Sequence, residues 1–276
     1  MRTSKTRISR DLAAEYGRQA VRIAQSGEYQ APSGKAVNIS RWVQRSIEET
    51  ASYPPDREFQ ESVRGTCQTQ ISVENTTTLD AASRLIAAAY SPVVLNFASA
   101  THPGGGFLAG ARAQEEYLAR SSGLYSSIED NPMYAFHRSL GDPLYTNYAI
   151  YSPHVPVFRS DDGILLDEPF TVGVITCPAV NANKIAPERR GEIGPAMWIR
   201  ILKVLSIGVK HAHDSIVLGA WGCGAFGNDS RLIAGLFHRA LEKNFKGVYR
   251  QVVFAIVDWS RGRRNIGPFR EVFEAL

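Results

Sequence analysis

The chain has 276 residues, of which 44% are hydrophobic and 21% are charged, and its formal net charge is +4. These values are typical of a globular protein with one large domain, or with one domain and an appendage. No apolar run approaches the ~20 residues that a membrane span requires. We therefore expect no membrane partner.

Cysteine usage indicates a reducing compartment. The three cysteines are widely spaced and odd in number, which argues against a disulfide framework and for a cytoplasmic protein. Residues 1–7 are basic, but no apolar segment follows them, so we expect no secretory signal. His211 and His213 are better explained as solvated or capping side chains than as metal ligands. The basic residues at 261–264 could meet a polyanion, although an exposed turn is the simpler interpretation.

The first part of the chain, 1–66, is predicted to be an N-terminal helical extension. An amphipathic helix over residues 9–26 would be capped by Ser9 and stopped by Gly27. A second helix is indicated by apolar residues at helical spacing, namely Ile39, Val43 and Ile47. Nothing in this segment indicates chemistry.

The second part, 67–276, alternates between strands and helices. Strands are predicted over 70–74, 92–97, 147–152, 155–158, 170–177, 215–219 and 251–257. Helices are predicted over 77–89, 195–211, 230–244 and 266–276. The central strands are apolar without alternation, which indicates a mixed or parallel sheet covered on both faces, and therefore an α/β protein.

A glycine-rich loop follows the buried strand that ends at Phe97. Gly104, Gly105 and Gly106 are followed by seven residues and then by Gln114-Glu115-Glu116 at the start of a helix. A bare backbone lets a large ligand lie against the main chain, and a helix start favours carboxylates. Either feature alone is more often an ordinary loop or a solvated first turn. Their combination after a buried strand predicts a ligand site.

A second glycine-rich loop, 219–227, also follows a buried strand and precedes a helix. Backbone N–H groups in such a loop can hold a diphosphate without any lysine. The loop lacks the Gly-Lys-Ser/Thr ending of a Walker loop and the context of a dinucleotide fingerprint. A kinase or a dehydrogenase is therefore disfavoured.

The glycine triplet and the Gln-Glu-Glu triplet, at this spacing, resemble the signature of poly(ADP-ribose) glycohydrolases (PARG). Residues 96–103 and 219–229 are similar to the bacterial-type branch of that family. The resemblance covers nearly the whole chain. It implies a macrodomain-like, three-layer α/β/α fold with a mixed sheet, to which the helical extension is added, so that 67–276 would be the catalytic domain.

The resemblance implies roles at the first loop. Glu116 would be the catalytic acid/base, and burial against the ligand should raise its pKa. Glu115 would hydrogen-bond ribose hydroxyls, and Gln114 would position the loop. The glycines Gly104, Gly105 and Gly106 would wrap the terminal ribose and the diphosphate. Asn96 and Ser99 would bind ribose, or would simply cap the strand end.

The resemblance also makes the second loop the diphosphate-binding loop, with Gly222, Cys223, Gly224, Ala225, Phe226 and Gly227 as its contacts. Phe226 would pack against the distal ribose, or would only anchor the loop in the core. The adenine pocket would lie in the extension or near 258–265.

The implied reaction is hydrolysis of the ribose–ribose O-glycosidic bond of poly(ADP-ribose), with release of ADP-ribose from the chain end and with no cofactor or metal. The expected partners are poly(ADP-ribose), ADP-ribose and ADP-ribosylated proteins as substrates, without direct binding of nucleic acid, and the protein should be a monomer. Two alternatives stay open. One is an ADP-ribose-binding reader without turnover, and the other is a hydrolase of mono-ADP-ribosylated protein or other ADP-ribose derivatives.

Overall fold

The computed structural model describes residues 8–274. Its helices are α1 (Arg10–Ser26), α2 (Ser40–Glu48), α3 (Thr78–Ala87), α4 (Gln114–Ser121), α5 (Leu124–Ile128), α6 (Pro132–Leu140), α7 (Ile193–Lys210), α8 (Ser230–Lys243) and α9 (Ile266–Phe273). Its strands are β1 (Glu28–Gln30), β2 (Ala36–Asn38), β3 (Ala51–Tyr53), β4 (Gln70–Glu74), β5 (Pro92–Ala98), β6 (Ala149–Arg159), β7 (Leu165–Pro178), β8 (Ser215–Leu218) and β9 (Gln251–Ala255). The expectation of no secretory signal at 1–7, and the last two residues of the final predicted helix, lie outside the described residues.

Seven strands form one mixed sheet in the order β3-β6-β7-β5-β8-β9-β4. The five strands from β7 to β4 run parallel to one another, whereas β6 is antiparallel to β7 and β3 is antiparallel to β6. The carboxyl ends of the parallel strands therefore meet at one edge of the sheet, where ligands bind in open α/β folds.

Helices cover both faces of this sheet, which confirms the expected three-layer arrangement. Side chains alternate between the two faces along each strand: Val93 of β5 packs into the core beneath α7, α8 and α9, and Val94 packs into the core beneath α3 to α6. Both are fully buried. The sheet is thus the middle layer of an α/β/α sandwich.

Local signals set the helix ends as the sequence predicts. The Ser9 hydroxyl accepts a hydrogen bond from Leu12 N–H, and Gly27 ends α1 in the left-handed region at φ 72°. Thr77 caps α3 in the same way, through the N–H of Asp80. Such caps satisfy N–H groups that would otherwise lack a partner.

The predicted helical extension over 1–66 also contains three short strands that the sequence did not predict. The hairpin of β1 and β2 lies between the two helices, and β3 joins the edge of the main sheet beside β6. These strands have three residues each, too few to show an alternating pattern, and the pairing of β3 depends on residues about a hundred positions away. The division of the chain at residue 66 stays a prediction.

Two further differences concern the middle of the chain. The strands predicted over 147–152 and 155–158 form one strand, β6, which is irregular between Ser152 and Val155. His154 lies there with φ 53°. Such a bulge interrupts the strand pattern, so the sequence predicts two strands where there is one. Helices α5 and α6 were not predicted, because this segment is rich in Pro, Tyr, Asp and Asn.

The cysteines are all unpaired thiols. Between residues 8 and 274, no helix is both long enough and apolar enough to cross a membrane. His211 stacks on Tyr151 with ring centroids 3.6 Å apart, and Nε2 of His213 lies 2.8 Å from the Tyr151 hydroxyl. These histidines are therefore part of a hydrogen-bonded aromatic cluster rather than solvated. No group of three or more His, Cys, Asp or Glu side chains within the described residues is arranged to hold a metal ion.

Candidate active site

A cleft of about 780 Å³ opens at the carboxyl ends of the parallel strands. Eight of the residues singled out from the sequence line it, namely Ser99, Gln114, Glu115, Glu116, Gly222, Gly224, Ala225 and Phe226. The other six do not line the cleft and belong to the same two loops or to β5, namely Asn96, Gly104, Gly105, Gly106, Cys223 and Gly227. The fold thus brings the two predicted loops to one cavity.

The two glutamates at the start of α4 point to different partners, as neighbours on a helix must. Glu116 accepts hydrogen bonds on both carboxylate oxygens, from Gly106 N–H at 3.0 Å and from Ala113 N–H at 2.9 Å. Glu115 accepts one from Ser99 N–H at 2.7 Å, and its other oxygen has no partner among the described residues. Both carboxyl groups are buried at the cleft. The plane of the Glu116 carboxylate is therefore fixed by the backbone.

Burial raises the pKa of Glu115 well above its ordinary value. The Ser99 N–H opposes this rise by favouring the ionised form, and the neighbouring charge of Glu116 adds to it. The sequence led us to expect a raised pKa at Glu116, and that expectation stays a prediction; the raised pKa described here belongs to its neighbour, Glu115.

The glycine triplet has to be glycine where it meets these carboxylates. Gly104 and Gly105 have φ of 69° and 60°, a region that side chains disfavour. A Cβ on Gly105 would lie 2.4 Å from Oε1 of Glu116 and 3.0 Å from Oε2 of Glu115. The loop can therefore lie directly against both carboxyl groups only because it has no side chain.

Gln114 ties the start of α4 to the sheet. Its side-chain oxygen accepts from Phe97 N–H at 2.9 Å, and its amide nitrogen donates to Leu95 O at 2.8 Å and to Thr78 Oγ1 at 3.1 Å. These three bonds join β5, α3 and α4. The positioning role that the family resemblance implies for Gln114 stays a prediction, and these are the contacts through which Gln114 would act.

Asn96 and Ser99 differ in their surroundings. Asn96 is fully buried within β5 and donates to Thr176 Oγ1 at 3.2 Å, while its oxygen has no partner among the described residues. Ser99 lies at the cleft, and its hydroxyl accepts from Thr101 N–H at 3.3 Å and from His102 N–H at 3.1 Å. The capping interpretation thus fits Ser99. Asn96 lies inside the sheet, and its side chain acts on Glu115, where it opposes the rise in pKa that burial causes.

The second loop presents free backbone donors to the cleft. Within residues 8–274, no acceptor is bonded to the N–H groups of Gly222, Gly224, Ala225 and Phe226, which are the loop residues that line the cavity. Consecutive free N–H groups ahead of a helix form an anion-binding concavity. Helix α8 follows directly and is capped by Asp229.

Asn183 holds this loop from behind. Its side-chain amide donates to Ala225 O at 2.9 Å, and its backbone N–H donates to Phe226 O at 3.0 Å. Gly227 packs closely against the same side chain, as a Cβ there would lie 2.2 Å from Asn183 Oδ1.

The loop also contains a cysteine. Burial raises the pKa of the Cys223 thiol to about 12, so the thiol stays protonated at neutral pH.

Phe226 lines the cleft and also packs against the main core, so that both of its predicted roles are compatible with its position. The cleft has further walls that the sequence did not single out by residue. Trp259 follows β9, is 72% exposed and faces the cleft, as does Val257. Tyr16 of α1 lies on another wall. Trp259 falls inside the 258–265 segment that the sequence analysis considered for the adenine pocket. It was not singled out there, because a single tryptophan forms no recognisable sequence motif.

The comparisons with known proteins agree with this geometry. A family model described as the microbial-type PARG catalytic domain matches residues 17–160. The PARG structure from Thermomonospora curvata is 43% identical, with a TM-score of 0.91, and the match covers 95% of this chain and 100% of that one. The structure of the same enzyme bound to the inhibitor ADP-HPD is 44% identical, with a TM-score of 0.89, covering 95% and 99%.

The PARG structure from Deinococcus radiodurans in complex with ADP-ribose is 39% identical, with a TM-score of 0.81, and the match covers 87% of this chain and 100% of that one. No functionally curated protein sequence matches the chain. The fold and the cleft define a macrodomain-like α/β/α protein with paired glutamates beside a glycine loop. The chain belongs to the microbial-type PARG catalytic domain family.

Proposed function

We propose that this protein hydrolyses the ribose–ribose O-glycosidic bond of poly(ADP-ribose) and releases ADP-ribose. The observation that carries this proposal is the contact between the glycine loop and two buried glutamates, at 3.0 Å from Gly106 N–H to Glu116. A reader that only binds ADP-ribose does not need both carboxyl groups. Family membership supports the same activity.

The substrate would lie along the cleft with its diphosphate on the free N–H groups of the loop at Gly222–Phe226. The terminal ribose would lie at both glutamates, behind which the bare backbone of Gly104–Gly106 packs. Trp259, an exposed aromatic side chain at the cleft, offers a stacking surface for adenine. Each part of ADP-ribose thus meets a group of matching chemistry.

In the reaction, Glu116 would act as general acid and then as general base. Its proton moves to the ribose oxygen of the leaving chain while the C–O bond to the terminal ribose breaks. The resulting oxocarbenium-like centre is attacked by water, which returns a proton to the Glu116 carboxylate. Glu115 would hold the hydroxyl groups of the terminal ribose.

A second assignment of the acid has its own support, because the raised pKa of Glu115 keeps that carboxyl group protonated over a wider pH range. The experiment is release of ADP-ribose from polymer by the wild type, Glu116→Gln and Glu115→Gln, with ADP-ribose affinity measured for each. We expect Glu116→Gln to lose about 10²–10⁴-fold in kcat with its affinity for ADP-ribose retained.

If Glu115→Gln shows that loss and Glu116→Gln does not, the two roles are exchanged. If the wild type binds ADP-ribose but releases none from polymer or from mono-ADP-ribosylated protein, the protein is a reader. If the wild type releases ADP-ribose from mono-ADP-ribosylated protein but not from polymer, it is a hydrolase of mono-ADP-ribosylated protein, the other alternative.

We also propose exo-cleavage, because the resemblance implies it and because Tyr16, from the N-terminal segment, forms part of the cleft wall. Monomeric ADP-ribose should then appear from the first time point, whereas endo-cleavage would first yield oligomers. The protein would act as a monomer, on free polymer and on ADP-ribosylated proteins. Its three unpaired cysteines support a reducing compartment, the cytoplasm.

A further inference from the structure

Three arginines line the wall of the cleft that is formed by α4 and its surroundings, namely Arg112, Arg120 and Arg159. Arg159 has a structural role, because each of its three guanidinium nitrogens donates a hydrogen bond to the protein. Its Nε donates to Arg120 O at 3.0 Å, its Nη1 to Gly163 O at 3.1 Å and its Nη2 to Gln19 Oε1 at 2.8 Å. The guanidinium also lies 4.4 Å from the centre of the Tyr16 ring.

Arg112 and Arg120 are different, because most of their donors are unused. Nη1 of Arg112 donates to Ile8 O at 2.6 Å, and Nη1 of Arg120 donates to Ala111 O at 3.2 Å. Within residues 8–274, neither guanidinium makes another hydrogen bond or an ion pair. Since a guanidinium has five donors, each side chain retains donors for a ligand in the cleft.

The charges of this pair are also poorly compensated. Arg120 is only 7% exposed, and burial lowers the pKa of its guanidinium. The nearby charge of Arg112 adds to this effect, while Glu116 attracts the guanidinium from one turn earlier on α4 without an ion-pair contact. Arg120 is buried and Arg112 is half-buried. Two neighbouring cations without a contacting carboxylate among residues 8–274 are unfavourable until an anion joins them.

We propose that Arg112 and Arg120 form a second phosphate-binding site, which takes a diphosphate of poly(ADP-ribose) from the unit next to the one held at Gly222–Phe226. This inference rests on the proposed function. Each polymer unit carries a diphosphate, and the planar guanidinium fork binds phosphate oxygens in pairs. Free ADP-ribose has a single diphosphate and cannot occupy both sites. The second site would therefore favour polymer over the released product.

The test separates polymer from monomer. In Arg112→Gln, we expect the KM for polymer to rise about tenfold, as the loss of one charged hydrogen-bonding group predicts. The kcat and the inhibition constant of free ADP-ribose should change less than twofold. Arg112→Lys, which keeps the charge, should give an intermediate KM. Arg22→Gln is the matched control, since Arg22 is exposed on α1, away from the cleft.

Arg112 is the better position for this test, because Arg120 also bonds the loop at Ala111 and its replacement could disturb Glu116. An unchanged KM for polymer in Arg112→Gln would overturn the proposal. Equal changes in KM and in the ADP-ribose inhibition constant would also overturn it, because Arg112 would then contact the same unit as the second loop.

Failure of the proposed function gives a distinct result, since the wild type itself would then release no ADP-ribose. In that case, direct titration with polymer decides the matter. Binding about tenfold weaker in Arg112→Gln than in the wild type, with equal binding of ADP-ribose, supports the second site. Equal polymer binding contradicts it.

Discussion

Gly105 lies so close to Glu116 that a Cβ at residue 105 would be 2.4 Å from the carboxylate oxygen Oε1. That oxygen is the one that accepts the Gly106 N–H. The position of the proposed acid/base is thus set by backbone on one side and by the absence of a side chain on the other. A residue with no functional group of its own controls the geometry of the site.

Gly105→Ala should therefore lower kcat strongly, by about 10²-fold or more, because the Glu116 carboxylate must move by more than half an ångström from its hydrogen bonds. The unfolding temperature should fall only modestly. Gly141→Ala is the matched control, since Gly141 also has a positive φ, of 65°, but a Cβ there meets nothing within 4 Å. Equal activity in the two variants would contradict the steric explanation.

The raised pKa of Glu115 predicts a pH-dependent stability. Burial disfavours the ionised form, so the contribution of this group is fully present below the ordinary value of 4.5 and is lost as the pH rises through the raised pKa. The glutamine of Glu115→Gln cannot ionise, so its stability lacks this pH dependence. The unfolding temperature of the variant, measured against that of the wild type, should therefore be higher above pH 4.5 than it is at about pH 4. Unfolding temperatures of both proteins between about pH 4 and pH 8 test this. Parallel curves would show that the carboxyl group has no raised pKa.

Trp259 should contribute to binding without contributing to stability, because its side chain is 72% exposed. Stacking of a base on an aromatic ring contributes about 1–3 kcal/mol, so Trp259→Ala should weaken ADP-ribose binding about tenfold or more. Trp259→Phe, which keeps an aromatic face, should lose less. Calorimetric titration with ADP-ribose measures both, and an unchanged affinity in Trp259→Ala would place adenine elsewhere.

Asn183 should affect diphosphate binding from outside the cleft. Its side-chain amide holds the carbonyl of Ala225 at 2.9 Å, and one hydrogen bond contributes about 1 kcal/mol. Asn183→Ala should therefore weaken ADP-ribose binding about fivefold, because it loosens the loop although Asn183 itself does not line the cleft. Lys184→Ala, at the adjacent exposed residue, is the control. Identical affinities for the two variants would show that the loop is rigid without this bond.

The sequence predicted most of the fold because its signals are local. Ser9, Gly27 and Thr77 end or begin helices through hydrogen bonds within a few residues, and apolar strands need only their own composition to be recognised. Strand β3 could not be predicted, since it has three residues and its partner, β6, lies far along the chain. Non-local pairing leaves no local pattern.

The residues of the site likewise differ in whether a local sequence pattern reveals them. Glycine triplets and adjacent glutamates can be recognised from the sequence alone, and the fold places the glutamates at the cleft with the glycine loop packed against them. Arg112, Asn183 and Trp259 could not be found in this way, because each is an isolated residue whose relevance depends on what the fold places beside it. The pKa of Glu115 likewise depends on burial, which no spacing reveals.

The first helix fixes the glycine loop at two points. A Cβ at Gly17 would lie 2.9 Å from Phe107 O, and one at Gly110 would lie 2.1 Å from Arg10 O. A stretch with so many glycines would otherwise have a large conformational entropy. Here that entropy is lost when the protein folds rather than when the substrate binds, so the loop is already in its working shape and little affinity is lost to ordering it.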